Sequence, residues 1–297
     1  STLKSLAKAG YCIVVIEHRL DVVLPFVDKV FHVGGKRVRE IKDKESYLKE
    51  QSVEISDSCA VFCGGQPVFS LSDVAFSVKD RVILNGVAFD ILKGSRTVLF
   101  GENGCGKTTL LRLISRLEKP TRGVILQNIS GKFGQKSKQS KKWYKKVGVV
   151  YQNPDYQLFM PTVEKEIKFG AKSDEYADEI AEKFGVKHLY VRHPQSLSEG
   201  QKRRVSIAAV VATAPEVLIL DEPTVGQDYR GLCEMTEILN RIHEKTKNTM
   251  ITVTHDKRCA AALCDRAVWI KDGKVRKTGG KELAEEFFKD PTGNAKN

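Results

Sequence analysis

No stretch of this chain stays apolar for the roughly 18 to 20 residues that a bilayer-crossing helix needs, and no signal-peptide pattern occurs in it. The longest apolar runs, such as Ile13–Ile16 and Val217–Leu220, have the length of buried parallel strands. Paired cysteines are missing as well. The 7 cysteines stand at 12, 59, 63, 105, 233, 259 and 264, and Cys59 and Cys63 have no second pair at zinc spacing. That odd, scattered set excludes a zinc framework and reads as a reducing compartment. Acids are absent from residues 132–146, which carry Lys132, Lys136, Lys138, Lys141, Lys142, Lys145 and Lys146. With only Phe133, Trp143 and Tyr144 among them, a base-stacking platform for nucleic acid is poorly supported. The stretch reads first as a solvated loop, with phosphate or lipid contact as the alternative, and it accounts for part of the net charge of +12.

What is present centres on residues 97–114, TVLFGENGCGKTTLLRLI. A short apolar strand, Thr97–Phe100, runs into Gly101, Glu102, Asn103, Gly104, Cys105, Gly106, Lys107, Thr108 and Thr109. Leu110, Leu111, Leu113 and Ile114 then mark the buried side of a helix. G-x-x-x-x-G-K-[ST] between a strand and a helix is the arrangement that cradles phosphate. Its glycines let the backbone curl so that N–H groups converge on phosphate oxygens, and the helix N-terminus adds favourable partial charge. Lys107 reaches the β/γ-phosphates and the Thr108 hydroxyl can ligate Mg²⁺. The stretch reads as a nucleoside triphosphate site. Cys105, at this helix N-terminus, is expected to favour its thiolate and to react with alkylating agents when nucleotide is absent.

Elsewhere strands and helices alternate, which implies a largely parallel sheet with helices on its faces. Val74–Val78 and Val82–Ile91 read as paired strands across a Lys79-Asp80 turn, and Val147–Val150 as a short strand before Tyr151–Phe159, YQNPDYQLF. Ser173 is an expected N-cap, with Ala177, Ile180, Ala181 and Phe184 as the apolar stripe behind it and Gly185 as the stop. Leu197, Ser198, Glu199, Gly200 and Gln201 precede a helix over Lys202–Thr213. The strand Val217–Leu220 ends on Asp221-Glu222, a carboxylate pair better suited to catalysis than to a helix cap.

The two ends of the chain echo each other. His18 and Asp28 are 10 residues apart, as are His255 and Asp265. Each His follows an apolar strand (Tyr11–Glu17, Asn248–Thr254), and each Asp opens another (Asp28–Val33, Asp265–Ile270). A turn then leads into Lys36-Arg37-Val38 or Lys274-Val275-Arg276, with one extra residue in the second copy. This is an internal repeat. Residues 42–66 are expected as a linker, 67–297 as a complete domain, and 1–41 as the tail of a unit like it, so that the chain starts inside a longer tandem protein.

Taken in order, the phosphate loop, Gln152, Leu197–Gln201, Asp221-Glu222, Gly226-Gln227-Asp228 and His255 resemble the nucleotide-binding domain of an ABC ATPase over residues 67 to about 280. YQNPDYQLF resembles most closely the Gln-loop of the energy-coupling-factor and cobalt-type importer ATPases, which often occur as fused tandem pairs. The resemblance implies an α/β P-loop NTPase fold with an ABC-type core, a mostly parallel sheet plus an antiparallel β-subdomain, and a helical subdomain at about 153–200. It makes residues 1–41 the C-terminal remnant of a preceding ABC domain. Its cofactors would be ATP, held by Gly101–Thr109, and Mg²⁺ near Thr108, Gln152 and Asp221. Lys107, Gln152, Glu222 and His255 would be catalytic, with Glu222 deprotonating the attacking water. Asp228 would lie in the D-loop, and the signature Leu197, Ser198, Glu199, Gly200 and Gln201 would touch ATP bound to a partner domain.

The implied partners are a second ABC ATPase domain, upstream in the same chain or separate, and a transmembrane coupling subunit. The protein would then sit on the cytoplasmic face of the membrane and energise uptake of a vitamin or metal ion, with no specific nucleic acid expected. The alternative is a soluble, non-transport ABC ATPase acting on ribosomes or nucleic acid, which the +12 charge favours and YQNPDYQLF disfavours. Three positions depart from the family pattern: Val78 where an aromatic residue commonly stacks on adenine, Glu199 where glycine is usual, and Gln227 where leucine is usual.

Overall fold

The computed structural model describes residues 2–16, 23–34, 36–44, 46–47, 65–129 and 141–289. Two compact units divide the chain, residues 1–54 with 227–233 and residues 55–226 with 234–297. In the first, α1 (Thr2–Lys8) is followed by residues 11–16, which form no regular element although their sequence suits a strand. A strand forms only where its N–H and C=O groups find a neighbour, and Val14 and Ile16 are exposed here. Next, β1 (Val30–Gly34) and β2 (Arg37–Ile41) make an antiparallel hairpin. His18 lies outside the described residues, as do most of the expected linker and residues 132–140 of the lysine-rich stretch.

The second unit opens with the antiparallel pair β3 (Pro67–Val78) and β4 (Arg81–Leu92), then β5 (Arg96–Phe100) and α2 (Lys107–Ile114). β6 (Arg122–Gln127) returns to pair with β3, giving a sheet ordered β4-β3-β6. A turn of helix, α3 (Lys141–Tyr144), precedes β7 (Val147–Val150), and three helices follow: α4 (Val163–Lys168), α5 (Asp174–Lys183) and α6 (Glu199–Ala212). The Ser173 hydroxyl accepts the Tyr176 N–H at 3.2 Å, the cap its sequence suggests. Ala177, Ile180, Ala181 and Phe184 are buried in one cluster with Val205, Ala208 and Val211 of α6, as the spacing anticipates.

The remaining elements are β8 (Val217–Asp221), α7 (Tyr229–Thr246), β9 (Thr249–Val253), α8 (Lys257–Ala262), β10 (Arg266–Lys271), β11 (Lys274–Gly279) and α9 (Lys281–Lys289). A six-stranded sheet runs β11-β10-β5-β9-β8-β7, parallel throughout except for the β10–β11 hairpin. β5, β8 and β9 are buried at every residue, as expected of parallel strands with both faces covered. Register places Leu99 and Asp221 level with Val253, and Val150 level with Leu220. The segments that leave β5, β9, β8 and β7 therefore emerge side by side along one sheet edge, where α/β folds place their ligands.

The hairpins β1–β2 and β10–β11 share one design. Gly34 pairs with Arg37 and Lys271 with Lys274, so each closes on a two-residue turn. Positive φ at Lys36 (60°), Asp272 (50°) and Gly273 (71°) supplies the twist that such turns require. The extra residue of the second copy is not in the turn. It is Arg276, in a bulge between the pairs Trp269–Lys277 and Ile270–Val275.

Candidate active site

Where β5 ends, Gly101 takes φ +155°, and a Cβ there would run into the Ile270 carbonyl and lie 2.8 Å from Cys105 Sγ. Gly106, with φ +103°, starts α2; a Cβ on it would lie 2.6 Å from Leu84 Cδ2. Both positions need glycine for conformation and for space. The Lys107 side chain folds over the loop and donates from Nζ to the Gly101 and Glu102 carbonyls, each at 2.8 Å. Glu102, Asn103, Gly104 and Thr108 stand exposed along the loop, and Thr109 is half-buried. Cys105 corrects an expectation. Burial pushes its thiol up, against the pull of the Lys107 ammonium. It is 8% exposed, so the helix-end effect loses to desolvation and the thiol is protected.

Next to the loop, Asp221 ends β8 almost fully buried, and its pKa is pushed up to about 6. Burial is the main cause and the Glu222 charge the next, opposed by a hydrogen bond from Thr108 and by the Arg203 and Lys107 charges. Its Oδ1 is buried without a hydrogen-bond partner among the described residues. Glu222 follows in the left-handed region at φ 51°, a conformation a glutamate adopts at some cost in strain. Its Oε1 lies 2.8 Å from His255 Nδ1, and its Oε2 accepts the His255 N–H at 3.3 Å. A carboxylate can only accept, so Nδ1 carries the proton and Nε2 points away from Glu222. Such a pair can hold and deprotonate a water beside a bound phosphate.

Gln152 lies at the same sheet edge, two residues beyond β7, with its side chain exposed. Its own segment is braced: Gln157 accepts the Tyr151 N–H at 3.0 Å and donates to the Val149 carbonyl at 2.6 Å, and Glu166 accepts the Phe159 and Met160 N–H groups. Ser198 caps α6 in a reciprocal box with Gln201, at 3.1 and 3.4 Å. Leu197 is buried beside it, and Glu199 is exposed, as its departure from glycine requires. Lys107, Thr108, Asp221, Glu222 and His255 thus come together, while the signature forms a separate helix end whose Ser198 and Gln201 bond each other. Asp228, grouped with the first unit, opens α7 and accepts the Gly231 N–H at 2.7 Å.

On the β10 side of the loop, opposite the carboxylates, a cavity of about 300 Å³ is lined by Arg81, Val82, Ile83, Glu102–Cys105 and Lys271–Gly273. Val78, at the end of β3, is half-exposed.

Residues 84–225 match the ABC transporter family. Energy-coupling factor transporter ATP-binding protein EcfA2 of Bacillus subtilis is 40% identical over 210 residues, which is 67% of this chain and 76% of that protein. The chain belongs to the ABC transporter family. It is an ATP-binding ATPase domain of that family. Putative HMP/thiamine import ATP-binding protein YkoD of Bacillus subtilis matches at 31% over 305 residues, covering 89% of this chain; the chain spans 55% of the length of that relative. Among solved structures, cbiO1 from Clostridium perfringens, part of the transporter complex cbiONQ, aligns with a TM-score of 0.64 at 31% identity, over 75% of this chain and 91% of that one.

Two residues of this ABC ATPase escaped the sequence reading. Arg203 is 2% exposed and donates to the Tyr151 and Gln152 carbonyls, and Lys202 Nζ reaches Asp155 Oδ1 at 2.8 Å. Two basic residues after a signature look solvated in sequence. Their partners lie about 50 residues upstream, beyond any local pattern.

Proposed function

We propose that this chain is the ATP-hydrolysing subunit of a membrane importer of the energy-coupling-factor or cobalt type, carrying a vitamin or a transition-metal ion. The Glu222–His255 pair beside the phosphate loop carries the hydrolytic part, and the match to EcfA2 supports the importer part. Lys107 and the loop N–H groups hold the β/γ-phosphates, and Glu222 positions and deprotonates the water while His255 Nε2 faces the γ-phosphate. Mg²⁺ fits here: Asp221 Oδ1 is buried and has no hydrogen-bond partner among the described residues, and the Thr108 hydroxyl bonds the same carboxylate. Thr108, Asp221 and Gln152 would hold the ion, which neutralises phosphate charge when bound. The nucleoside lies in the cavity of Arg81–Ile83 and Lys271–Gly273, whose lining among the described residues holds no aromatic ring, which supports loose base selectivity.

Asp221 gives this reading a test in stability. Its folded pKa of about 6 exceeds the ordinary 3.8, so the folded state binds the extra proton between those values. Stability therefore falls as pH rises from about 4 to 6, and the penalty is complete above 6. Asp221→Asn is expected to stabilise the metal-free chain by about 3 kcal/mol at pH 7.5, to flatten its pH profile between 4 and 6, and to abolish Mg²⁺-dependent nucleotide binding. Thermal melts across pH check the first two. Destabilisation at pH 7.5 overturns the electrostatic account.

A second ABC domain completes each site with the N-terminus of its signature helix, and Ser198 serves that partner in return. Residues 1–41 resemble the end of such a domain, a reading that the matched hairpins and the broad match to YkoD support. The membrane subunit docks at Phe159 and Phe169, exposed rings stacked edge-to-face at 5.7 Å beside the Gln152 segment. Among the described residues no helix is long and apolar enough to cross a membrane itself. Phe159→Ser with Phe169→Ser is expected to lower recovery of the chain with membranes at least 5-fold (about 1 kcal/mol) and to leave nucleotide binding unchanged. Cells lacking the chain are expected to lose uptake of one vitamin or metal ion, which Glu222→Gln fails to restore. Unchanged uptake across such a panel overturns the importer assignment.

A further inference from the structure

We propose that Arg203 and Lys202 are positioning residues that clamp the Gln152 segment to the first turns of the signature helix, so that a displacement at the start of α6 is felt at Gln152. Arg203 Nη1 donates to the Tyr151 carbonyl at 2.6 Å and Nη2 to the Gln152 carbonyl. Lys202, the adjacent residue, takes the far side of the same segment through Asp155 Oδ1 at 2.8 Å. One helix turn thus fixes the loop at both ends.

The chemistry suits a clamp better than packing. A guanidinium buried to 2% exposure, with Nε unpartnered among the described residues, is costly, and an apolar side chain of similar size would fill the space at lower cost. The planar fork offers what an apolar chain and a lysine both lack, two parallel donors for two successive carbonyls. Holding both carbonyls fixes the peptide planes on either side of the Gln152 Cα, and with them the direction in which the Gln152 side chain leaves the backbone. Ser198 and Gln201 stiffen the other end of the lever through their capping box. Only one helical turn, about 5.4 Å, separates Ser198 from Lys202. A partner's nucleotide seated on the cap of α6 therefore moves the clamp as part of a rigid piece.

This inference rests on the reading of Gln152 as a Mg²⁺ contact, and the test separates the two. Three variants of the full chain are compared: Gln152→Ala, Arg203→Lys and Asp155→Ala, the last at an exposed position that threatens nothing in the core. A fluorescent ATP analogue is titrated with and without Mg²⁺, and backbone hydrogen exchange is followed over residues 150–157. Arg203→Lys and Asp155→Ala are expected to leave the Mg²⁺-free affinity within about 2-fold, and to reduce the Mg²⁺-dependent gain about 5-fold, or roughly 1 kcal/mol. Exchange should quicken over 150–157 and not in β8. If Gln152→Ala reduces the gain and neither clamp variant does, the clamp is overturned and the Gln152 reading stands. If none of the three changes it, the Gln152 reading falls and takes the clamp with it. Equal loss of affinity with and without Mg²⁺, or exchange quickened across the whole sheet, marks a merely structural role and also overturns the clamp.

Discussion

Glu222→Gln is expected to cut ATP turnover by about 10²–10⁴-fold while nucleotide binding survives, a range set by what a positioned general base contributes. The substitution keeps the size of the side chain and removes the charge that takes up a proton. It also disturbs the histidine. Both carboxylate oxygens now accept from His255, one from Nδ1 at 2.8 Å and one from the backbone N–H at 3.3 Å. An amide has one acceptor, so if that oxygen keeps the backbone N–H, the NH₂ faces Nδ1 and favours the tautomer protonated on Nε2. The histidine would then present a donor where it had presented an acceptor. Folding should not suffer, because Glu222 is one of the charges that raise the Asp221 pKa, and removing it eases a buried carboxylate. Turnover of the assembled transporter and analogue binding by the isolated chain give the two numbers. Turnover within about 3-fold of the parent, or binding lost along with turnover, would remove Glu222 from the role of base.

Local chemistry explains which features the sequence displayed. Gly101 to Thr108, the Ser173 cap and the apolar stripe of α5 depend on neighbours within a few residues, so each could be read from its own segment. Asp221 and Glu222 could be read because a fully apolar strand leads into them. Two expectations failed where a distant partner decides the outcome. Residues 11–16 have the composition of a strand but pair with no neighbour among the described residues, and hydrogen bonding outweighs propensity. Cys105 follows the helix-end rule in sequence, yet the Gly101 backbone packs against its sulfur and burial dominates. The Arg203 clamp and the pair Arg96–Asp265 stayed hidden for the same reason, since the latter spans 169 residues. The repeat could still be seen, because an internal copy needs no outside partner to be noticed. Asp28 and Asp265 occupy matching places before their hairpins, but only Asp265 shows what that place is for.

Asp265→Ala is expected to destabilise the second unit by about 3–5 kcal/mol, the range for removing one partner of a buried ion pair. Arg96 and Asp265 have side chains only 5% and 4% exposed. The carboxylate accepts from Arg96 Nη2 at 2.6 Å, from Nε at 3.1 Å and from the backbone N–H at 2.9 Å. Asn240 accepts from Arg96 Nη1 at 2.7 Å, tying α7 to the same guanidinium. Alanine would leave that buried charge without its carboxylate partner. Arg96 opens β5, and Asp265 stands just before β10. These are the strands whose close approach puts Gly101 against the Ile270 carbonyl, so nucleotide binding should weaken as the melting point falls. Arg96→Met combined with Asp265→Leu removes both charges and should recover most of the loss, because apolar replacement of a whole buried pair is often neutral. His243 supplies a local readout. Burial first, and the Arg96 charge second, hold its pKa below the ordinary 6.5. The paired replacement should raise it, and an NMR titration would show the shift. If Asp265→Ala costs under about 1 kcal/mol, the pair behaves as a solvated surface bridge and does not hold the phosphate-loop strand in place.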